Sequence, residues 1–497
     1  MNAYDKIASV VQQVTTGKKT TQEAIDAIST KDLTECLFSS SQGDTSGPLA
    51  TGIAASPGAA TGKLCLSVDN VLDTVDAGGA AIMVAMETGP ADEPGMRWSV
   101  GIVTAHGGLA SHAAIYSRGL GLPAVCGVND LTVQESSITV GSIVINEGDI
   151  ISIDGATGEL FKGTIDISEA ETPEELDTLL LWCDEARKGC LGVRANADTS
   201  EEAAEAIRSG ADGIGLCRTE HMFLGDRLPA IRKVLTAEDE KSQRTALIEL
   251  RDIQKQDFVN VLEPMEGKPV TVRLLDAPLH EFLEDNEEQN PMLGLRGVRL
   301  ALAIEGLYRT QTQALIAAVE QRIEDGQIPA VEIMVPLIAI EKELEAILEA
   351  IAEEIQKSPI PIPLGTMIET PRAALIAGEL AQHVDFISFG TNDLTQMTFG
   401  FSRDDVEATV INEYIKKEIL EESPFSTLDQ IGVGELIKAA IEKSKEANPT
   451  IKIGICGEHG GDPKSIRFLS DIGVDYVSCS PPRLPIARLV SAQQSIL

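Results

Sequence analysis

The chain has 497 residues, 43% of them hydrophobic and only 4% aromatic, which is enough for two or three packed domains. Its 77 acidic residues outnumber 40 lysines and arginines, giving a formal net charge of −37. That balance argues against nucleic acid or an anionic membrane as a partner, since both require a basic face. An anionic substrate must then be held by a local arginine cluster against the field of the whole chain.

The eight cysteines form no C-x-x-C pair and have no zinc-like spacing with histidine, so they read as reduced thiols of a cytoplasmic protein. The opening MNAYDKIASVVQQVTTGKK has no apolar stretch of signal-peptide length, and no run of about 18 apolar residues follows.

Residues 1–48 read as an N-terminal helical segment, with Thr20-x-x-Glu23 as a capping box and SSSQGDTSGP (39–48) as its boundary. From 49 to 168, short β-rich runs alternate with glycine-rich turns, and one helix follows His112. This pattern predicts a compact α+β domain. Residues 169–189 contain an acidic amphipathic helix, expected to serve as a linker. From 190 to 497, seven apolar runs (LGVRANAD, GIGLCRTE, VTVRLLDA, VEIMVPL, PLGTMIET, FISFGTND, KIGICGEHG) alternate with helix-length segments. The fold class expected is α/β, a (β/α)₈ TIM barrel preceded by the smaller α+β domain.

In the stretch Thr104–Ala114, Gly107, Gly108 and Ser111 lead into His112, which opens a helix. The glycines let backbone approach a bulky anion, and the N–H groups of a first helical turn favour negative charge beside the imidazole. A mostly neutral imidazole there is placed to accept a phosphoryl group. The plainer alternative is a loop-to-helix junction whose histidine packs.

In the barrel span the polar residues sit at the C-terminal ends of the apolar runs, the end where barrel loops build active sites. Arg218, Arg273 and Arg296 each follow or end such a run, and three guanidinium forks suit a small phosphate- and carboxylate-bearing anion. Glu369 and Asp393 end two further runs, and two hard oxygen ligands suit Mg²⁺, although each is alternatively a cap or an arginine partner. Gly390, Thr391 and Asn392 form a strand-to-loop turn whose N–H groups can grip a carboxylate. Cys456, between glycines, is expected at the end of the last barrel strand; by residue type alone it is an inert buried thiol. Cys217 and Cys479 take that structural reading too. His221, His280, His383 and His459 lack the Gly-Gly-x-x-Ser-His context and read as packing or hydrogen-bonding residues.

Taken together, GGLASH, GIGLCRTEHMF (213–223), RLLDAPLHEFL (273–283), NPMLGLRG (290–297), GTMIETPRAAL (365–375), FGTNDLTQMTFGFSRDD (389–405), GICGEHGGD (454–462) and DYVSCSPPRLPIARL (475–489) resemble the phosphoenolpyruvate-utilising enzymes, the pyruvate phosphate dikinases above all. The resemblance implies a swivelling domain with His112 as phosphoryl carrier. It implies that Arg218, Arg273 and Arg296, with Arg403 contributing, bind phosphoenolpyruvate, that Mg²⁺ is the cofactor, and that Cys456 protonates the enolate. Homodimerisation through the barrel also rests on it alone.

Such enzymes charge the histidine at an ATP-grasp domain. About 45 residues precede the swivelling domain here, and no G-x-x-x-x-G-K-[ST] occurs; Gln12 stands where Thr16-Gly17-Lys18-Lys19-Thr20 would need a first glycine. A separate ATP-grasp subunit is therefore expected, with pyruvate or phosphoenolpyruvate as the small-molecule acceptor. Three departures from the family pattern stand out, Ala110, Ala277 and Leu295; the last two suggest a changed acceptor, as in a subunit of an ATP-dependent aryl phosphate synthase acting on a phenol. The acidic charge and the missing ATP domain are compatible with a regulatory phospho-carrier relaying phosphate to another protein.

Overall fold

Alternation of short β-branched runs with amphipathic helices builds two large sheets, one open and one closed on itself, beside two small ones, in this computed structural model. It describes residues 2–41, 47–108, 111–128, 130–223, 227–283, 288, 290–406 and 410–496. The chain divides into two compact units: Met1–Arg187 with Phe401–Thr427 and Arg488–Leu497, and Lys188–Gly400 with Leu428–Ala487. Two stretches inside the span 190–497 thus gather with the first unit.

In the first unit, helices Ala3–Thr15, Thr21–Ala27 and Thr30–Leu37 open the chain, and the capping box at Thr20 and Glu23 forms as expected. A second box joins Ser29 to Asp32. The acidic helix Glu175–Ala186 buries Leu176, Leu179, Leu180 and Cys183, a helical stripe that packs it against the first two helices. Asp184 on this helix accepts from Arg488 at 3.0 and 2.5 Å, and Gln493 donates to the carbonyls of Ile25 and Ile28. This segment is accordingly a packed element of its unit.

The eight-stranded sheet of this unit has at its centre the parallel strands Ala59–Cys65, Ala81–Ala85, Gly101–Thr104 and Ala124–Cys126. Alternation sorts their side chains. Ile82, Val84, Val103 and Val125 fill one apolar cluster, while Ala81, Met83, Ile102 and Ala124 fill another. Besides the expected helix His112–Leu120, this domain carries Val68–Asp76 and Glu93–Trp98. The antiparallel strands Leu131–Val133, Ser137–Val140 and Ile143–Asn146 form a small separate sheet.

The second unit holds a closed barrel of eight parallel strands: β1 Gly192–Asn196, β2 Ile214–Arg218, β3 Pro269–Arg273, β4 Ala330–Val335, β5 Leu364–Ile368, β6 Phe386–Phe389, β7 Lys452–Ile455 and β8 Tyr476–Cys479. β1 closes on β8 in parallel register, Gly192 opposite Tyr476. The seven apolar runs read from the sequence are β1–β7; DYVSC is the eighth. Inside, Arg194 bonds Glu332 at 2.7 Å and Thr271 at 3.0 Å and lies 4.1 Å over the Tyr476 ring, so one interior layer is a satisfied polar one. Leu216, Met334, Met367, Phe386 and Cys456 form an apolar cluster.

Gly365 leaves space for the Phe386 ring, since a Cβ there would come within 2.4 Å of it. Gly365→Ala should lower unfolding stability by about 1–3 kcal/mol through overpacking, measurable by denaturant titration. An unchanged midpoint would show that the ring has room to move aside.

Candidate active site

Thr104 ends a parallel strand, and the chain returns at Ser111 as N-cap of the helix His112–Leu120. The Ser111 hydroxyl donates to the Gly108 carbonyl at 2.9 Å and accepts from the Ala114 N–H at 3.4 Å, fixing the helix start. Gly107 has φ 104°, and a Cβ there would stand 2.7 Å from that of Ser111. Leu109 and Ala110 lie outside the described residues, so the Ala110 departure gains no structural account. The His112 ring is partly exposed and stacks on Tyr116, centroids 5.8 Å apart. Its Nδ1 lies 3.2 Å from Thr88 Oγ1 and its Nε2 lies 3.3 Å from a carboxylate oxygen of Glu93. Neither Thr88 nor Glu93 stood out in the sequence.

At the barrel, Arg218 ends β2 and Arg273 ends β3. Arg296 is not on a strand end as expected; it is the residue before helix Gly297–Ala303, in the long connection after β3. Glu369 directly follows β5, whereas Asp393 sits in the first turn of helix Thr391–Phe399, beyond β6. Gly390, Thr391 and Asn392 likewise begin that helix instead of a free turn. Cys456 follows β7, the seventh strand and not the last. Asp393 moves because the polar residues after β6 already belong to the next helix; Arg296 lies in a long connection after β3, and Cys456 is one strand short of the end because Tyr476–Cys479 adds an eighth.

Charge knits these residues together. Arg218 binds Asp198 through Nε at 2.9 Å, and Asp198 also accepts from His221 at 2.8 Å. Arg273 pairs with Glu220 and reaches Asp276 at 3.3 Å. Arg296 grips Asp276 with two bonds of 2.8 Å and lies 3.4 Å from Asp393. Three guanidiniums therefore meet five carboxyls, counting Glu369. Burial opposes ionisation of Asp276, but Arg296 and Arg273 overcome it and hold its carboxyl below the usual range. The acids Asp198, Glu220 and Asp276 were legible only as charges at strand ends.

Glu369 is fully buried; its Oε1 accepts from the Leu337 N–H at 2.6 Å, and its Oε2 has no partner. Leu337 adopts φ 58°, a costly conformation for a branched side chain. Burial, with the charges of Asp276 and Asp393 added, pushes the Glu369 carboxyl up to about 8. An orphaned carboxylate oxygen that feels the charge of Asp393, amid surplus acid, fits a hard divalent cation such as Mg²⁺.

Cys456 is buried, with Sγ 3.6 Å from the Phe389 carbonyl, and burial pushes its thiol up to about 11. The loop after it is pinned: His459 bonds Thr391 at 2.7 Å, and the Glu458 N–H donates to Asn392 at 3.1 Å. His383 bonds Glu341 at 2.9 Å, and His280 is exposed. Arg403 lies in the short helix Arg403–Val406 of the first unit, 5.8 Å over the Phe425 ring.

Residues 172–496 match the PEP-utilising enzyme, PEP-binding domain, and residues 78–158 match the PEP-utilising enzyme, mobile domain. The chain belongs to the PEP-utilising enzyme family. Within that family it is 42% identical to the pyruvate, phosphate dikinase of Clostridium symbiosum, over 97% of this chain and 59% of the relative. It is 44% identical to the dikinase of Rhizobium meliloti, over 90% of the chain and 54% of the relative. The chloroplastic dikinase of Mesembryanthemum crystallinum is also 44% identical, with 90% and 50% covered. The chain spans half to three-fifths of the length of these family members. Among the described residues no helix is long and apolar enough to cross a membrane.

Because the folded Glu369 carboxyl titrates near 8 and an unfolded one near 4.5, the folded chain holds the extra proton between those values. Its stabilising effect is complete below about 4.5 and lost as pH rises through about 8. Without divalent cation, the stability of Glu369→Gln relative to wild type should therefore rise by at least about 1 kcal/mol from pH 5 to pH 8. A flat difference in urea unfolding across that range contradicts the assignment.

Proposed function

We propose that this chain carries the phosphohistidine and the acceptor site of a phosphotransferase, moving a phosphoryl group through His112 to or from pyruvate and phosphoenolpyruvate. The observation that carries the reading is the gathering of Arg218, Arg273 and Arg296 with Glu369, Asp393 and Cys456 at the C-terminal end of one barrel. A phosphate and a carboxylate on a three-carbon frame match three guanidinium forks. The relatives' printed name, pyruvate, phosphate dikinase, supports the same acceptor.

In the direction of pyruvate formation, a ring nitrogen of His112 attacks phosphorus and the phosphorus–oxygen bond of phosphoenolpyruvate breaks. The departing enolate oxygen keeps the electron pair, its charge offset by the arginines. The enolate's C3 then takes the Cys456 thiol proton, giving the ketone, and solvent restores the thiol. A thiol held up near 11 keeps its proton at neutral pH, as a donor must. Bound Mg²⁺, held by Glu369 and Asp393, would supply neutralisation of the enolate and phosphate charge.

The proposal includes a separate ATP-grasp subunit that charges His112. Carboxylate-matched arginines favour pyruvate over a phenol as acceptor. A regulatory carrier would give Cys456 no task.

Incubation with phosphoenolpyruvate labelled in its phosphoryl group, plus Mg²⁺, should label His112, and His112→Ala should stay unlabelled; label persisting in that variant ends the assignment. ATP alone should leave His112 unlabelled, and adding the nucleotide-binding subunit should label it. Cys456→Ala should retain substrate binding yet form pyruvate at least about 100-fold more slowly. Turnover at the wild-type rate removes the role given to the thiol.

A further inference from the structure

Two side chains address the His112 ring from different directions among the described residues, and the chemistry of the two contacts differs. Thr88 Oγ1, 3.2 Å from Nδ1, either donates or accepts, so it tolerates both neutral tautomers. Glu93, 3.3 Å from Nε2, is a carboxylate and accepts only. Its contact therefore requires a proton on Nε2, whether in the neutral Nε2–H tautomer or in imidazolium. With that proton in place Nε2 has no lone pair to offer phosphorus.

Glu93 is held in position. It begins the helix Glu93–Trp98 directly after Asp92, whose side chain accepts from the Gly89 N–H at 2.9 Å. Its own carbonyl accepts from the Tyr116 hydroxyl at 3.3 Å, and Tyr116 in turn stacks on the His112 ring. The carboxylate thus stands on the outer edge of the imidazole while the helix frame behind it is tied to the same ring.

We infer that Glu93 is a gate on His112: its carboxylate holds Nε2 in the protonated, unreactive form and must leave that nitrogen before phosphoryl transfer can occur. Opening the gate lets Nε2 lose its proton to solvent while Nδ1 carries one, whose hydrogen bond Thr88 Oγ1 accepts, and so frees the Nε2 lone pair. Nε2 then forms the bond to phosphorus as the donor's bond to phosphorus breaks and the donor leaves with its electron pair. A phosphoryl dianion on Nε2 also repels the carboxylate, so the same side chain disfavours the charged product and pushes the group onward. Glu93 is in this sense a positioning residue acting through His112. The inference rests on His112 being the phosphoryl carrier.

Phosphoramidate, a small chemical phosphoryl donor that needs no barrel chemistry, tests the gate on the whole chain. The rate at which His112 gains phosphate, read by ³¹P NMR against a His112→Ala background, should rise at least fivefold in Glu93→Ala and in Glu93→Gln. The ¹⁵N imidazole signals of the unphosphorylated protein should move from an Nε2–H pattern towards Nδ1–H in both variants. Glu93→Asp, which keeps the charge, should stay near wild type. Equal rates and an unchanged tautomer across the series overturn the gate while leaving the proposed function standing. A rise in Glu93→Ala but not in Glu93→Gln also overturns it, because the obstacle would then be bulk and not charge. Failure of phosphoenolpyruvate to label His112 in any variant, with the phosphoramidate result as expected, counts against the proposed function alone.

Discussion

The barrel mouth is governed by a charge imbalance: three guanidiniums set among more carboxyls than they can pair, Asp198, Glu220, Asp276, Glu369 and Asp393 among them. Each ion pair holds a fork in a defined direction, yet the arginines are too few to neutralise the acids. Glu369 bears the surplus, since its carboxyl is buried, half-partnered and driven towards its neutral form. For the proposed function, such an arrangement suits an anion that arrives with a divalent cation better than a bare polyanion. The chain's overall acidity only sharpens that requirement.

The fold makes this arrangement affordable. Strand β1 pairs with β8 across 284 residues of sequence at Gly192 and Tyr476, and closure brings the ends of β2, β3, β5, β6 and β7 around one opening. Glycines at 365 and 454 let aromatic rings occupy the interior, and the Arg194–Glu332 pair fills a lower layer without leaving its charges unpaired. The first unit uses the same geometry on an open sheet, with His112 just beyond the C-terminal end of a parallel strand. In both units the candidate site residues stand beyond the ends of parallel strands, where backbone pairing has stopped.

Much of this was legible in the chain. Short apolar runs, most of them closing on a polar or charged residue, marked seven barrel strands; the eighth, DYVSC, was not among them. Arg218, Arg273, Glu369 and Cys456 all follow or end such runs. Arg296 and Asp393 were placed one element too early, since sequence does not mark where ladder pairing gives way to the next helix. The acids Asp198, Glu220 and Asp276 sat in view, but nothing local told a ligand from an arginine partner.

By itself, the sequence determined the kinds of elements, their order and which polar residues fall at their ends, because periodicity and turn chemistry act over a few residues. Tertiary structure alone decided which acid meets which arginine, that Thr88 and Glu93 flank an imidazole 24 and 19 residues away, and how far burial moves the Glu369 carboxyl and the Cys456 thiol. Those properties depend on distance and dielectric between groups remote in the chain, and they come into being only when the sheets close and exclude water.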